Sequence, residues 1–392
     1  MRIWKCLALL LTGLVVGLSP TTGAAQPKPP IKVGLLTSLT GPLASLGEYA
    51  KTSLELAFEE VGNQVGGRRL TVVIEDGEGK PDVGRTKVKK LIEQDKIDIL
   101  LGPVSSAVAL AIRDYVVSKG TPWLTTFATT PSLTRELAAP NLFRPAYSAE
   151  QPQYTMGVYF RQKLGYEKIA VVGLDYVAGR AEANAFMEGF KAAGGKAIQE
   201  IFLPLGAPDP APFISKIKPE ALDALAGAAI WGNDAIRFVK GLDEYGIKGR
   251  LPIIVTNSAV SDGNLLPSQG RSALGIKSYG VYANGLQTPE NRRFVQAFLK
   301  KTGKAAGGDA YVGYIGVRAA IEALKNVDGK IEDTAGYLSA LRKVEFVGPA
   351  GPFKFDKNQN AIVTVYLLEV RETGGELHNA IVEVVAQGVA QR

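Results

Sequence analysis

Residues 101–109 read LGPVSSAVA: a short apolar run ends in Gly-Pro, and two serines open what reads as a helix. Three chemistries use a turn of this kind. A phosphate loop needs GxxxxGK[ST] or GxGxxG, and neither pattern occurs at Gly102 or elsewhere in the chain. A serine nucleophile on an elbow needs GxSxG and a histidine partner. That pattern is absent too, and the one histidine, His378, falls in a predicted edge strand near the C terminus. The third chemistry is grip without reaction. Ser105 and Ser106 sit where free backbone N–H groups and the positive end of a helix dipole can hold an anion. The competing role for Ser105 is to cap its own helix.

The next strand ends in a similar way. Residues 121–135 read TPWLTTFATTPSLTR, with hydroxyls at Thr125, Thr126, Thr129 and Thr130 around Phe127. Further along, GLDYVAGR (173–180), IWGNDA (230–235) and TNSAVSDGN (256–264) offer Tyr176, Trp231, Asn233, Asn257, Ser258 and Asp262. Ligands of open parallel sheets bind beyond the carboxyl ends of the strands. Aromatic faces with a few amides and hydroxyls make a small-molecule cleft. Trp231 reads equally as a core residue. A hydrolase built on Asp175, Asp234 and Asp262 is the catalytic alternative, but those acids lie on separate loops. No catalytic residue is expected.

Composition removes most other chemistry. The chain has one cysteine, Cys6, and one histidine. His-ligated zinc clusters and HExxH motifs are therefore excluded, and because Cys6 falls in the segment expected to be removed on export, no catalytic thiol, metal or cofactor is expected. Arg2 and Lys5 precede the apolar run Cys6–Leu18, with small residues up to Gly23-Ala24-Ala25. This is the pattern of a secretory signal peptide over residues 1–25, with export to the periplasm. The net charge of +7 is spread over the chain without a basic run, so nucleic acid is not an expected partner.

These loops must be positioned by an alternation of strands and helices. Strands are predicted over 31–37, 70–75, 97–101 and 122–125, with helices over 43–61, 81–94 (Pro81 in its first turn) and 105–118. A second series follows, with strands over 168–174, 197–203, 224–230 and 251–256 and helices over 151–164, 180–193 and 234–245. Such alternation implies two doubly wound, mostly parallel α/β units. Helices over 289–302, 310–326 and 334–344 and strands over 278–282, 351–355, 362–370 and 377–385 complete the chain. Periodicity leaves open whether these form an extra domain or finish each unit in turn.

The stretch IKVGLLTSLTGPLASLGEYAKTSLELAFEEVG, then GPVSS, ATTP, LFRPAYSAEQ, DYVAGR and GNDAIRFVKGLDEYGIKG, resembles the periplasmic ligand-binding proteins of the Leu/Ile/Val-binding type, in order from about residue 31 to 360. The resemblance implies the type I periplasmic binding protein fold, two lobes joined by three crossovers. Residues 31–147 with 284–350 would form one lobe and 148–283 with 351–392 the other. It also implies a monomeric, non-enzymatic receptor that holds a small molecule by hinge closure and delivers it to a membrane ABC permease. Carried over by position, a carboxylate grip falls on Ser106 beside Ser105, and further contacts fall on Phe127, Ala128 and Thr129. The second-lobe face falls on Tyr176, Ala178, Asn233 and Ser258.

Two positions depart from that pattern. Ala178 stands where amino-acid binders present a tyrosine, and Ser258 where they present the acid that meets the α-ammonium. A buried ammonium without a carboxylate is costly, with Asp262, four residues on, as the substitute. The expectation is therefore a carboxylate-bearing ligand with an aromatic or bulky body, walled by Phe127, Tyr176 and Trp231, with Tyr147 and Tyr154 adding to it. A branched-chain or other amino acid, or a ligand-sensing role without a transporter, is the alternative.

Overall fold

The computed structural model describes residues 28–392 except Asn264; the signal-peptide expectation for residues 1–25 lies outside them. The first sheet contains β1 (Ile31–Thr37), β2 (Gln64–Val65), β3 (Arg68–Asp76), β4 (Ile99–Leu101), β5 (Trp123–Leu124) and β6 (Leu142–Phe143), in the order β2-β3-β1-β4-β5-β6. Apart from the β2–β3 hairpin its pairs are parallel. Leu35 lies opposite Leu101, Leu101 opposite Leu124, and Leu124 opposite Phe143. That register brings the residues after each strand side by side, so the GPVSS and Thr-rich turns are neighbours. Short, fully apolar strands such as β4 are what a parallel sheet covered on both faces requires.

Helices α1 (Ala44–Glu59), α2 (Pro81–Lys89) and α3 (Ser106–Lys119) connect these strands. Gly102 turns the chain from β4 toward α3 at φ +91°, where a Cβ would stand 2.0 Å from the Leu36 carbonyl oxygen, so only glycine fits.

Helix α4 (Glu150–Gln162) leads into the second sheet. Its strands are β7 (Lys168–Asp175), β8 (Lys196–Pro204), β9 (Ala224–Ala229), β10 (Ile253–Thr256) and β11 (Lys277–Gly280). Helix α5 (Val177–Ala192), the single turn α6 (Ala211–Ile214), helix α7 (Gly232–Glu244) and the single turn α8 (Leu266–Gln269) lie between them. The chain then returns with α9 (Pro289–Thr302), α10 (Gly308–Asn326) and α11 (Thr334–Arg342), followed by a hairpin of β12 (Glu345–Gly348) and β13 (Gly351–Lys354). Helix α10 packs against α1, where Ser53 Oγ donates to the Ala310 carbonyl at 3.0 Å. The late helices therefore belong to the first sheet's surroundings and do not form an extra domain.

The last strands, β14 (Val363–Thr373) and β15 (Glu376–Val389), join the second sheet, ordered β15-β14-β11-β10-β9-β7-β8, and are antiparallel at its edge. His378 lies in β15 opposite Arg371. The boundary expected between residues 350 and 351 falls at the turn of the β12–β13 hairpin, which pairs Gly348 with Gly351. Hairpin pairing holds the two strands as one piece. The Phe353 ring lies 5.1 Å from Phe355, and Phe355 lies 5.2 Å from Phe143 of the first sheet. The crossing to the second sheet thus comes some ten residues later than expected. The short strands β2, β6 and β12 are too brief to leave a periodic signal.

Candidate functional site

Ser105 has extended backbone (φ −78°, ψ 122°) and caps α3, its Oγ accepting from the Val108 N–H at 3.3 Å. The same Oγ lies 2.9 Å from the Tyr176 hydroxyl, which arrives from the loop after β7. The backbone N–H groups of Ser106 and Ala107 lie near enough to that hydroxyl to favour its charged form. Burial pushes the Tyr176 phenol up, and these donors pull against it. The start of α3 is therefore met by a tyrosine from across the cleft. Ser106 Oγ is buried without a hydrogen-bond partner.

The Thr-rich loop is organised by Arg144, which no chemistry-bearing motif in the sequence singles out. This wholly buried guanidinium donates to the carbonyls of Ala128 (3.1 Å) and Thr130 (2.6 Å), to Thr134 Oγ1 (2.9 Å) and to Asn360 Oδ1 (3.1 Å). Burial pulls its pKa down to about 9, partly offset by Glu150 and Asp356. Four fixed acceptors on one side chain hold residues 128–134 in a single shape, and that shape presents Thr129.

Between the sheets lies a cavity with about 470 Å³ of atom-free space, partly open to solvent. Its aromatic wall is Phe127, Tyr147, Tyr176 and Trp231, the last two meeting edge to face with ring centroids 6.4 Å apart. Leu43, Leu46, Val104, Val312 and Ala178 add an apolar surface. Its polar groups are Thr129, Ser258, Glu182 and Asp309. No lysine, arginine or histidine lines it among the described residues. A second hollow shares Tyr147, Ser258 and Val312 with the first and adds Asn257, Tyr279 and Tyr282. The loop after β8 comes close to the loop before α1: a Cβ on Gly206 would lie 3.1 Å from Pro42 Cγ.

Glu182 and Asp309 went unnoticed in the sequence. Thr129 Oγ1 donates to Glu182 Oε1 at 2.8 Å and Gln153 Nε2 to Oε2 at 3.2 Å. Gln153 is itself fixed by the Ala228 carbonyl and the Tyr279 hydroxyl. Burial raises the Glu182 carboxyl to about 8, with both donors pulling it down. Asp309 accepts from Ser258 Oγ at 3.0 Å, and burial raises it to about 6. A signal for Glu182 existed: it lies four residues after Ala178 on α5, on the same helix face. Asp309, in the first turn of α10, reads from sequence as an acid placed for the helix dipole.

Of the residues expected at the site, Phe127, Thr129, Tyr176, Ala178 and Ser258 share the cavity wall. Ser105 stands behind Tyr176, and Ser106 lies beside it but off the wall. Three expectations need correction. Ala128 is fully buried, its carbonyl taken by Arg144. Asn233 is exposed on the first turn of α7. Asp262 is turned away, its carboxylate accepting from the Asn379 backbone N–H (2.7 Å) and Nδ2 (3.1 Å). The acid beside Ser258 is instead Asp309, which accepts from that serine. Tyr154 is absent from the wall, and the Arg392 guanidinium lies over its ring. No cluster of three or more metal-ligating side chains occurs among the described residues.

The family described as periplasmic binding protein matches residues 30–376. The Leu/Ile/Val-binding protein homolog 6 of Brucella melitensis is 26% identical over 344 residues, 87% of each chain. Three solved structures superpose over nearly the whole fold. An ABC transporter substrate-binding protein from Sphaerobacter thermophilus is 34% identical with a TM-score of 0.87, over 93% of this chain and 99% of that one. A solute-binding protein of an ABC transporter from Rhodopseudomonas palustris BisB5, in complex with 3,4-dihydroxybenzoic acid, is 28% identical with a TM-score of 0.85. Another from R. palustris, in complex with benzoate, is 27% identical with a TM-score of 0.85, and both cover 92% of this chain and 98% of theirs. With two mostly parallel α/β lobes around one cleft and a family match along most of its length, the chain belongs to the periplasmic binding proteins of the Leu/Ile/Val-binding type, the extracytoplasmic substrate-binding components of ABC transporters.

Proposed function

We propose that this receptor captures a small carboxylate-bearing molecule with a flat aromatic or otherwise bulky apolar body and hands it to a membrane ABC permease. The observation that carries the reading is the continuous wall of Phe127, Tyr147, Tyr176 and Trp231 beside the N-terminus of α3. The ring faces take the body of the ligand. The N–H groups of Ser106 and Ala107, now beside the Tyr176 hydroxyl, take its carboxylate when that tyrosine turns aside. The benzoate and dihydroxybenzoate complexes of the R. palustris proteins support an aromatic acid.

The moving units are residues 31–147 with 284–350, extended by the β12–β13 hairpin, and residues 148–283 with the closing strands up to 392. A ligand that touches both only when they are together shifts the population toward the closed form. One chain supplies the whole cleft, so a monomer suffices.

An amino acid is the second reading, favoured by Glu182 and Asp309 as partners for an α-ammonium. Thermal unfolding of the mature protein separates the two, because a ligand that binds only the folded state raises the transition. The expected result is an upward shift with benzoates or cinnamates at millimolar concentration. A shift with leucine or valine alone overturns the aromatic-acid reading in favour of the second.

A further inference from the structure

Buried carboxyl groups are ordinarily paired with a cation or fully hydrogen-bonded, because desolvation penalises the charge. Glu182 and Asp309 are 4% and 6% exposed and have no cationic partner. Their recorded partners are all neutral donors, Thr129 Oγ1 and Gln153 Nε2 for the first and Ser258 Oγ for the second. Each carboxylate oxygen offers about two acceptor positions, so acceptor capacity is left over where both residues line the cavity.

Another group on the same wall has the opposite need. The Trp231 indole N–H is buried, its residue 8% exposed, and it donates to nothing. The cavity thus carries an unused donor at Trp231, unused acceptors at Glu182 and Asp309, and apolar surface at Leu43, Leu46 and Val312. A wholly apolar occupant leaves all three polar groups unmet. A plain anion meets the donor but sets its charge near two carboxyls that no cation neutralises.

We propose that Glu182, from α5 of the second lobe, and Asp309, from α10 of the first, form an acceptor subsite that selects ligands carrying an O–H or N–H⁺ donor apart from their carboxylate. The ligand class narrows from an acid to a hydroxylated or ammonium-bearing acid. Because the two carboxyls belong to different lobes, a ligand whose donors reach both draws the lobes together, so the subsite couples ligand chemistry to closure. The inference rests on the carboxylate-ligand reading above.

Calorimetric titration of the mature protein, the Glu182→Gln variant and the Asp309→Asn variant with benzoate, 4-hydroxybenzoate, leucine, phenylalanine and phenethylamine tests it. Above about pH 8, where burial no longer holds the proton on Glu182, both carboxyls are charged and a donor-bearing acid is expected to bind at least tenfold more tightly than benzoate, since hydrogen bonds to charged groups are the strong ones. In each variant the ratio of that affinity to the benzoate affinity should fall by tenfold or more, while a single cooperative unfolding transition without ligand shows that the fold is intact. Gain with 4-hydroxybenzoate identifies a ring hydroxyl as the donor; gain with leucine or phenylalanine identifies an ammonium. Equal binding of benzoate and the donor-bearing acids, or a preference that survives both substitutions, overturns the subsite and leaves the receptor reading standing. Binding of phenethylamine alone overturns the carboxylate-ligand reading and leaves the subsite standing. No binding by any of the five overturns both.

Discussion

Arg144 and Glu182 are both buried ionisable side chains, yet they do opposite work. Arg144 has four protein acceptors within 3.1 Å, spread over residues 128–134 and Asn360. Its valences are filled by the fold, so its charge serves to shape a loop. Glu182 has two neutral donors and faces the cavity. The comparison shows how scaffold and site can be told apart without a ligand: by whether the protein itself completes the hydrogen-bond shell of a buried charge. Asp262 falls on the scaffold side by the same test, since Asn379 donates to both of its oxygens.

The largest expected effect breaks the scaffold member. Arg144→Met keeps volume but strands the acceptors of Ala128, Thr130, Thr134 and Asn360, and losing one partner from a buried charged network costs about 3–5 kcal/mol. Urea unfolding should show a loss of that size, with ligand binding lost through the disordered Thr129 loop. A loss below about 1 kcal/mol would contradict the scaffold role.

A smaller effect sharpens the site member. An unfolded Glu182 carboxyl titrates near 4.5, whereas the folded one holds its proton to about 8. Between those pH values the native state binds more protons, so this group makes stability fall as pH rises, with no further change above about 8. At about 1.4 kcal/mol per pH unit the loss amounts to a few kcal/mol. Asp309 adds the same sign over the lower interval, from 3.8 to about 6. Urea midpoints at pH 5, 6.5 and 8 should therefore decline in the native sequence and decline less in Glu182→Gln. Parallel declines would mean that Glu182 is ionised and solvated in the folded protein.

The order of strands and helices was legible because each long element carries its own period: the helix expected over 289–302 is α9, and the strand expected over 31–37 is β1. Strand ends were legible as well, since glycines and hydroxyls mark them, and five of the ten expected site residues meet on one wall. What escaped was pairing at long range. Asp262 looked available until Asn379, 117 residues away, took it. The Ser258–Asp309 bond spans 51 residues and the Thr129–Glu182 bond spans 53. No local pattern specifies such partners. The hairpin carrying Phe353 was misassigned for the same reason, because only its packing near Phe143 shows which sheet it accompanies.

Tryptophan fluorescence tests the central claim, that ligand enters the cleft between the lobes, most directly. Trp231 lines the cavity, whereas Trp123 is fully buried in β5, with its indole N–H given to the Gly102 carbonyl. Titration with a bound ligand, excited at the red edge of tryptophan absorption, should give a saturable change in the native protein. That change should disappear in Trp231→Phe although calorimetry still detects binding. A saturable change of equal size in Trp231→Phe would place the ligand away from this cleft and contradict the account.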